Sequence, residues 1–325
     1  MMEIANILSY DTIKLVLTKR QIPATDFIAH TSKYIEVDHI HSNHARVQGM
    51  VRNFRVIATP KCIKVEGSVA KFVHGDNFRS VTLSEMEQTL QTLSSMLHLP
   101  LDQAILSRVD IGCNLKVDHF PELYFDYLGT LPKFSRRVYA DSSLYYENRT
   151  CTMVFYDKVK EEVMRNPLFN GGWGFENVIR YEVRLVRAGV RSLLKSEPNP
   201  TGAALYNPTF YQALCANAAD LYASIVKINS SPLSFLFEDV GNATDFLDRC
   251  VCYANRHIDL EGELKRRFRN REQASPNDVA KHYQLRRRIK KALARAGEFC
   301  HTQQLEKELD QKIRQVFQAP ALSVT

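Results

Sequence analysis

The sequence predicts an α+β protein, in which a largely antiparallel β-sheet domain with flanking helices precedes a mostly helical C-terminal domain. Strand-length runs of β-branched or alternating residues occupy the first two-thirds of the 325 residues, with a few helical segments between them. The sequence has no regular strand-helix-strand rhythm and no glycine-rich phosphate loop, which favours an antiparallel sheet. Helical patterns follow a linker-like stretch at 198–202, so we place the domains at 1–197 and 198–325.

Six runs carry the strand prediction, and one helix between them has clear boundaries. Thr82 and Glu85 form a capping box at the start of that helix, an apolar stripe with helical spacing follows, and Pro100 ends it. The predicted strands are 11–18, 52–58, 62–66, 106–115, 150–158 and 178–186.

The composition indicates a globular protein that is large enough for two structural units. The hydrophobic content is 45%, no run approaches the roughly 18 apolar residues of a membrane span, and the first residues lack the pattern of a signal peptide. The seven cysteines are scattered without the spacing of a zinc site. We therefore expect a cytoplasmic protein with reduced thiols.

Positive charge is concentrated in one region. The chain carries a net charge of +7, but the segment 265–295 alone carries +10 and the remainder carries −3. Such a concentration predicts a polyanion as partner, because each phosphate contact releases condensed counterions.

Three of the predicted strands present a pair of polar side chains on one face. Residues two apart on a strand point to the same side of the sheet, and in each strand such a pair combines groups that are useful in phosphate chemistry. The pairs are Arg108 with Asp110, Tyr156 with Lys158, and Arg180 with Glu182.

If these strands pair with their polar faces aligned, the groups converge in a site for metal-assisted phosphoryl transfer. Carboxylate oxygens suit Mg²⁺ or Mn²⁺, which would polarise a phosphate. Tyr156 would attack as a phenolate, and since the pKa of an ordinary phenol is near 10, we expect a cation such as Lys158 or the metal to lower it. The alternative is an exposed lattice of salt bridges without catalytic function.

Five blocks of the sequence resemble, in the same order, blocks of the filamentous-phage gene II/gene X replication proteins, and they are similar to the initiators of small rolling-circle plasmids. Each block is short, but five in register across roughly residues 11–195 make a chance match improbable. The blocks are 11–15, 64–77, 107–111, 152–158 and 178–184.

The resemblance implies a rolling-circle replication initiator. Such a protein makes an origin-specific nick, forms a covalent 5′-phosphotyrosine at the residue that matches Tyr156, leaves a free 3′-OH as primer and later rejoins the ends. Asp110 and Glu182 match the acidic positions that bind the metal. Asp157 matches a position that is acidic in the plasmid relatives, although on a regular strand it faces away from Tyr156.

The predicted catalytic set is therefore Tyr156, Lys158, Arg108 and Arg180, with Asp110, Glu182 and Asp157 as metal ligands. The expected partners are origin DNA, supercoiled or single-stranded, and a host helicase and polymerase in the cytoplasm of a bacterial host.

Two further motifs leave alternatives open. His39-Ile40-His41 has the histidine-hydrophobic-histidine pattern with which another class of nicking enzymes binds its metal. Tyr145 and Tyr146 offer a second nucleophile or, alternatively, an aromatic pair that packs on the sheet.

The basic segment predicts a helix-turn-helix that contacts DNA. Ser275 and Pro276 begin a short helix, and a cationic second helix would follow a tight turn and enter a major groove. The alternative is an amphipathic surface helix in which Ile289 and Leu293 face inward. The cations expected to contact DNA are Lys265, Arg266, Arg267, Arg269, Arg271, Arg286, Arg287, Arg288, Lys290 and Lys291.

A hypothesis from a different class is a non-catalytic origin-binding or transcription-regulating protein. It keeps the fold and the basic segment but does no chemistry. Replacement of Tyr156 by Phe separates the two hypotheses, because it abolishes strand cleavage only in the nicking enzyme and leaves DNA binding intact in both.

Overall fold

The computed structural model describes residues 8–23, 25–40, 46–139, 142–165, 177–193, 199–228, 240–269, 276–295 and 303–318. The described strands form one sheet. In chain order they are β1 Ser9–Thr18, β2 Glu36–Ile40, β3 Val47–Val51, β4 Phe54–Ala58, β5 Cys62–Ser68, β6 Ile105–Lys116, β7 Ser135–Tyr139, β8 Ser143–Glu147, β9 Cys151–Asp157 and β10 Val178–Val186.

The order of strands across the sheet is β2-β3-β4-β5-β1-β6-β10-β9-β8-β7, and each neighbouring pair is antiparallel. The helices are α1 Phe27–Thr31, α2 Val69–His74, α3 Leu83–Leu97, α4 Pro121–Tyr127, α5 Lys158–Arg165, α6 Ala188–Leu193, α7 Pro208–Ala223, α8 Ala243–His257, α9 Leu260–Arg269, α10 Pro276–Ala294 and α11 Gln303–Gln318, with a 3₁₀ turn at Gly202–Tyr206. The predicted α+β class is confirmed: an antiparallel sheet with helices precedes a mostly helical region.

All six predicted strands form, with different ends. β4 starts at Phe54 because Arg52 adopts a left-handed φ of 52° in the preceding turn. β9 stops at Asp157, so the prediction that Lys158 continues this strand is wrong. Four short strands that the sequence did not reveal, β2, β3, β7 and β8, extend the sheet at its two edges.

The capping box of α3 forms as predicted. The Thr82 hydroxyl accepts a hydrogen bond from the Glu85 backbone N–H, and the Glu85 carboxylate accepts one from the Thr82 N–H. The helix ends at His98, two residues before Pro100.

One face of the sheet packs on helices α3, α4, α7 and α11 and forms the hydrophobic core with them. The opposite face carries alternating polar side chains on β5, β1, β6, β10, β9, β8 and β7, as the cross-strand registers show. We call this second surface the polar face.

The core crosses the predicted boundary between residues 197 and 198. Phe210 and Leu214 of α7 and Leu309 and Ile313 of α11 are buried in the core of the sheet. A separate small cluster around Cys252 joins α8 to α10. Within the described residues, the helices α8, α9 and α10 are thus the part that packs on itself.

The predicted helix-turn-helix is wrong. Residues 276–294 form a single 19-residue helix, α10, in place of a short helix, a turn and a second helix. After Pro276 the segment contains neither glycine nor proline, so nothing in it interrupts the helix.

Two smaller findings complete the description. Of the helices described in the structure, none is both long and apolar enough to cross a membrane. The six cysteines among the described residues are free.

Candidate active site

The three strands that carry the predicted site are neighbours in the sheet, in the order β6-β10-β9. Across β10 and β9, Arg180 lies opposite Tyr156; across β10 and β6, Arg184 lies opposite Asp110. All of these residues point to the polar face, together with Glu182. The predicted alignment of the three polar strands is therefore confirmed.

Tyr156 is half-buried at the end of β9, and its hydroxyl donates to Oε2 of Glu182 at 3.4 Å. Burial raises the pKa of the Tyr156 phenol well above its ordinary value, the guanidinium of Arg180 lowers it, and the charge of Glu182 raises it further. The phenol is thus protonated at neutral pH in the free protein, which is opposite to the direction that we expected from a neighbouring cation.

Lys158 does not act on Tyr156 as the sequence suggested. It is the first residue of α5 and is fully buried, and its ammonium donates to the carboxylates of Glu161 and Glu162 at 2.6 Å each. Its Nζ lies 6.0 Å from the centre of the Tyr156 ring, over the ring face. The cation that lowers the phenol pKa is Arg180.

Asp110 and Glu182 lie on adjacent strands, and each forms ion pairs with arginines. Arg108 donates to both carboxylate oxygens of Asp110, at 2.8 and 2.5 Å, and Arg184 donates to Oε1 of Glu182 at 2.8 Å. Burial and the charge of Glu182 raise the pKa of Asp110 to about 7, although Arg108 opposes this.

Arg180 holds the centre of the site from within the protein. It is 3% exposed and donates to Oδ2 of Asp11 at 2.7 Å, to Oδ1 of Asn114 at 3.2 Å and, more weakly, to Oε2 of Glu182 at 3.5 Å. A guanidinium this deep orients Glu182 and Tyr156, whereas the half-buried Arg184 is accessible to a bound phosphate.

Asp11 and Arg184 are site residues that the predicted set lacked. Regular alternation places Asp11 on the core side of β1, but the register between β1 and β6 shifts after Tyr10 and turns the carboxylate of Asp11 toward Arg180. Only the alternation of Arg180, Glu182 and Arg184 could have pointed to Arg184.

The two carboxylates fit a small divalent cation in part. Mg²⁺ typically binds through one or two carboxylates plus substrate phosphates, and Asp110 and Glu182 supply two hard oxygen donors whose mutual repulsion a cation would relieve. In the described part of the chain, no group of three or more His, Cys, Asp or Glu side chains could hold a metal ion. The arginines that pair with the carboxylates would have to turn away from them.

Asp157 has a structural use in this fold. The strand ends here, and Oδ1 of Asp157 accepts a hydrogen bond from the backbone N–H of Lys160, which caps the first turn of α5. Burial raises the pKa of Asp157. The carboxylate is thus engaged by its own helix, and its role as a metal ligand stays a prediction.

An open pocket of about 510 Å³ adjoins the nucleophile and is lined by Tyr156, Tyr145, Arg184, Lys160 and Arg165, among others. Of the tyrosine pair on β8, Tyr145 therefore faces the site. Tyr146 packs in the core and donates to the carbonyls of Leu128 and Gly129.

The histidine motif lies far from Tyr156. His39 belongs to β2, the edge strand, and six strands separate β2 from β9. At about 4.8 Å per strand this corresponds to roughly 30 Å. His41 lies outside the described residues.

The basic segment divides into paired and open cations. Arg288 and Arg295 of the α10 region form ion pairs with Asp248 of α8, at 2.8 and 2.7 Å. Arg287, Lys290 and Lys291 are exposed, Arg286 is half-buried, and Lys265 and Arg266 of α9 are exposed. Arg271 lies outside the described residues, as do the side chains of Arg267 and Arg269.

Residues 10–192 match the phage family model described as the N-terminal part of the replication-associated gene II protein. A rolling circle replication initiator protein from Geobacillus stearothermophilus has a TM-score of 0.38 and 9% sequence identity to the chain, over 70% of this chain and 88% of that one. No curated protein matches. The family match spans more than half of the 325 residues and confirms the resemblance found in the five sequence blocks. The chain thus belongs to the family of phage replication-associated proteins that this model describes.

Proposed function

We propose that the protein is a rolling-circle replication initiator that nicks one strand of origin DNA with Tyr156 and stays joined to the 5′ phosphate. One observation carries the proposal: the half-buried phenol of Tyr156 lies 3.4 Å from Glu182, at an open pocket, on the strand two places from Asp110. Family membership supports a role in replication.

In the proposed reaction the Tyr156 oxygen forms a bond to the scissile phosphorus, and the bond from phosphorus to the 3′ oxygen breaks. Because the pKa of the phenol is raised, it has to lose its proton as it attacks, and Oε2 of Glu182 is the nearest acceptor. The net result moves one proton from the phenol to the departing 3′ oxygen. Rejoining is the reverse: a 3′-OH attacks the phosphotyrosine and restores the phenol.

Arg180 and Arg184 divide the cationic work. Arg180, buried against Asp11, keeps Glu182 and Tyr156 in place, while Arg184 reaches both Glu182 and the pocket and would hold the scissile phosphate. Asp110 and Glu182 would hold a Mg²⁺ or Mn²⁺, which when bound supplies charge neutralisation at the phosphate. Arg108, whose carboxylate partner then binds the ion, still pairs with Glu66 at 3.1 Å.

The open cations of α9 and α10 would bind the DNA that flanks the cut. Their charge is suited to phosphates, and α10 offers Arg287, Lys290 and Lys291 on its exposed surface. A host helicase and polymerase would then extend the 3′-OH.

The test is to incubate the protein with supercoiled DNA that carries the origin of its own replicon, in Mg²⁺ or Mn²⁺. We expect nicked circles, protein that stays on the 5′ end after denaturation, and loss of both in EDTA. Tyr156→Phe should lower nicking by roughly a thousandfold or more and leave DNA binding unchanged, because it removes the attacking oxygen and keeps the ring.

Tyr34→Phe is the matched control, since Tyr34 is an exposed tyrosine outside the site and should nick like the wild type. Nicking by Tyr156→Phe at the wild-type rate would disprove the assignment of the nucleophile. Tight binding of origin DNA without any nick by the wild type would favour a non-catalytic origin-binding protein.

A further inference from the structure

A cluster of tyrosines continues from the nucleophile to the edge of the sheet. Tyr156 of β9 lies opposite Ser143 of β8, which lies opposite Tyr139 of β7; Tyr145 of β8 lies opposite Arg137 of β7. These registers place all three tyrosines and Arg137 on the polar face. At about 4.8 Å per strand, the cluster extends roughly 10 Å from Tyr156.

The two outer tyrosines are in contact with each other and accessible. The ring centres of Tyr139 and Tyr145 are 5.1 Å apart, edge to face, and Tyr139 is 47% exposed. Tyr145 lines the same pocket as Tyr156. The neighbouring Tyr146 shows the contrast, because it points to the core and its hydroxyl is bonded to backbone carbonyls.

Positive charge accompanies these rings. Arg137 has a side chain that is 60% exposed and lies 3.8 Å from Glu147, and Arg184 and Arg165 line the pocket. A solvent-facing pair of aromatic rings beside cations suits single-stranded nucleic acid, whose unpaired bases expose their faces for stacking while the phosphates attract the cations. Duplex DNA keeps its bases stacked on each other and could use only the cations.

We propose that Tyr139, Tyr145 and Arg137, which we call the tyrosine platform, bind the single-stranded DNA next to the scissile phosphate. Bases stack on the two tyrosines, and Arg137 contacts the backbone between them. The platform rests on the proposed function for its position beside the cut, and its binding can be measured without any cleavage.

Binding is measured by fluorescence anisotropy with a labelled oligothymidylate of about eight nucleotides, a length comparable to single-strand sites on other folds. All variants are made in the full chain carrying Tyr156→Phe, which prevents covalent attachment. We expect Tyr139→Ala and Tyr145→Ala each to weaken binding by roughly five- to a hundredfold, the range of one base stack.

Conservative variants separate stacking from other roles. Tyr139→Phe and Tyr145→Phe keep the ring and should bind within about twofold of the parent, whereas Arg137→Gln should reduce the dependence of binding on salt. Tyr34→Ala, which removes an exposed tyrosine elsewhere, should bind like the parent. Thermal unfolding of each variant verifies that it is folded.

Wild-type affinity in both alanine variants would overturn the platform, as would equal loss in Tyr145→Phe and Tyr145→Ala, because the hydroxyl would then make the contact. Failure of the proposed function is read elsewhere. A wild-type chain that never nicks origin DNA, but whose alanine variants lose oligonucleotide binding while the phenylalanine variants keep it, would retain the platform and refute the nickase.

Discussion

At the scale of single residues, two carboxylates on neighbouring strands share one buried environment. Asp110 is 1% exposed and Glu182 is 4% exposed, and arginines neutralise both. An aspartate whose pKa is raised by burial destabilises the folded state when it is ionised. The same property suits a group that gains by binding a cation.

This gives a prediction for stability in EDTA. The pKa of Asp110 is about 7 in the folded protein against about 3.9 in an unfolded chain, so the folded state binds the proton more tightly. The contribution of Asp110 to the free energy of unfolding is present below pH 4 and is lost as the pH rises to 7. Between pH 5 and 8 the wild type should lose roughly 3 kcal/mol relative to Asp110→Asn.

Urea unfolding of both proteins at several pH values measures this difference. Parallel curves for the wild type and Asp110→Asn would show that Arg108 holds the carboxylate ionised throughout.

At the scale of elements, strand alternation was sufficient to place most of the site. It put Arg108, Asp110, Arg180 and Glu182 on one face, since these residues lie within long regular strands. It failed where a strand ends or bulges. Lys158 begins a helix, and the ion pairs with Glu161 and Glu162 that hold it three and four residues ahead are typical of helical spacing.

The four edge strands were missed for a related reason. β2, β3, β7 and β8 have five residues each, and β7 has mostly exposed residues, so the alternation that marks a half-buried strand is weak. The partners of Asp11 and Asp248 likewise depend on contacts between segments far apart in sequence, which no local pattern contains.

The helix α10 allows a prediction from charge. Exposed Arg287 and Lys290 should contact phosphates, whereas Arg288 is engaged by buried Asp248. The slope of log affinity for duplex DNA against log salt should therefore fall in magnitude by about 0.9 for each of Arg287→Gln and Lys290→Gln. Arg288→Gln should leave the slope unchanged and lower the stability of the α8 and α10 pair.

Filter binding or anisotropy between about 50 and 200 mM salt provides the slopes. A loss of slope in Arg288→Gln equal to that in Arg287→Gln would mean that the ion pair opens when DNA binds.

At the scale of the whole molecule, the last described helix belongs to the core of the sheet. Leu309, Ile313 and Val316 of α11 are buried there, and Glu308 accepts hydrogen bonds from the Asp118 backbone N–H and the Tyr124 hydroxyl. The division at residue 197 followed a change in local pattern, but packing joins what the pattern separates.

Truncation of Ile313 should therefore destabilise the sheet and α11 together. We expect Ile313→Ala to lower the free energy of unfolding by about 2 to 5 kcal/mol, whereas Leu247→Ala, at a side chain that is 55% exposed, should change it by less than about 0.5 kcal/mol. Hydrogen exchange should show the loss in β6 amides as well as in α11. Loss of protection restricted to residues 303–318 would instead identify α11 as an accessory helix.

The ion pair between Asp11 and Arg180 also sets a time at which the site can exist during synthesis. The two residues are 169 positions apart in the chain. At ribosomal rates of about 5 to 20 residues per second, β1 is made roughly 10 to 30 seconds before β10. Until β10 inserts between β6 and β9, the nascent chain has neither Glu182 nor Arg180 beside its tyrosine. A protein proposed to cut DNA thus acquires an assembled cutting site late in its own translation.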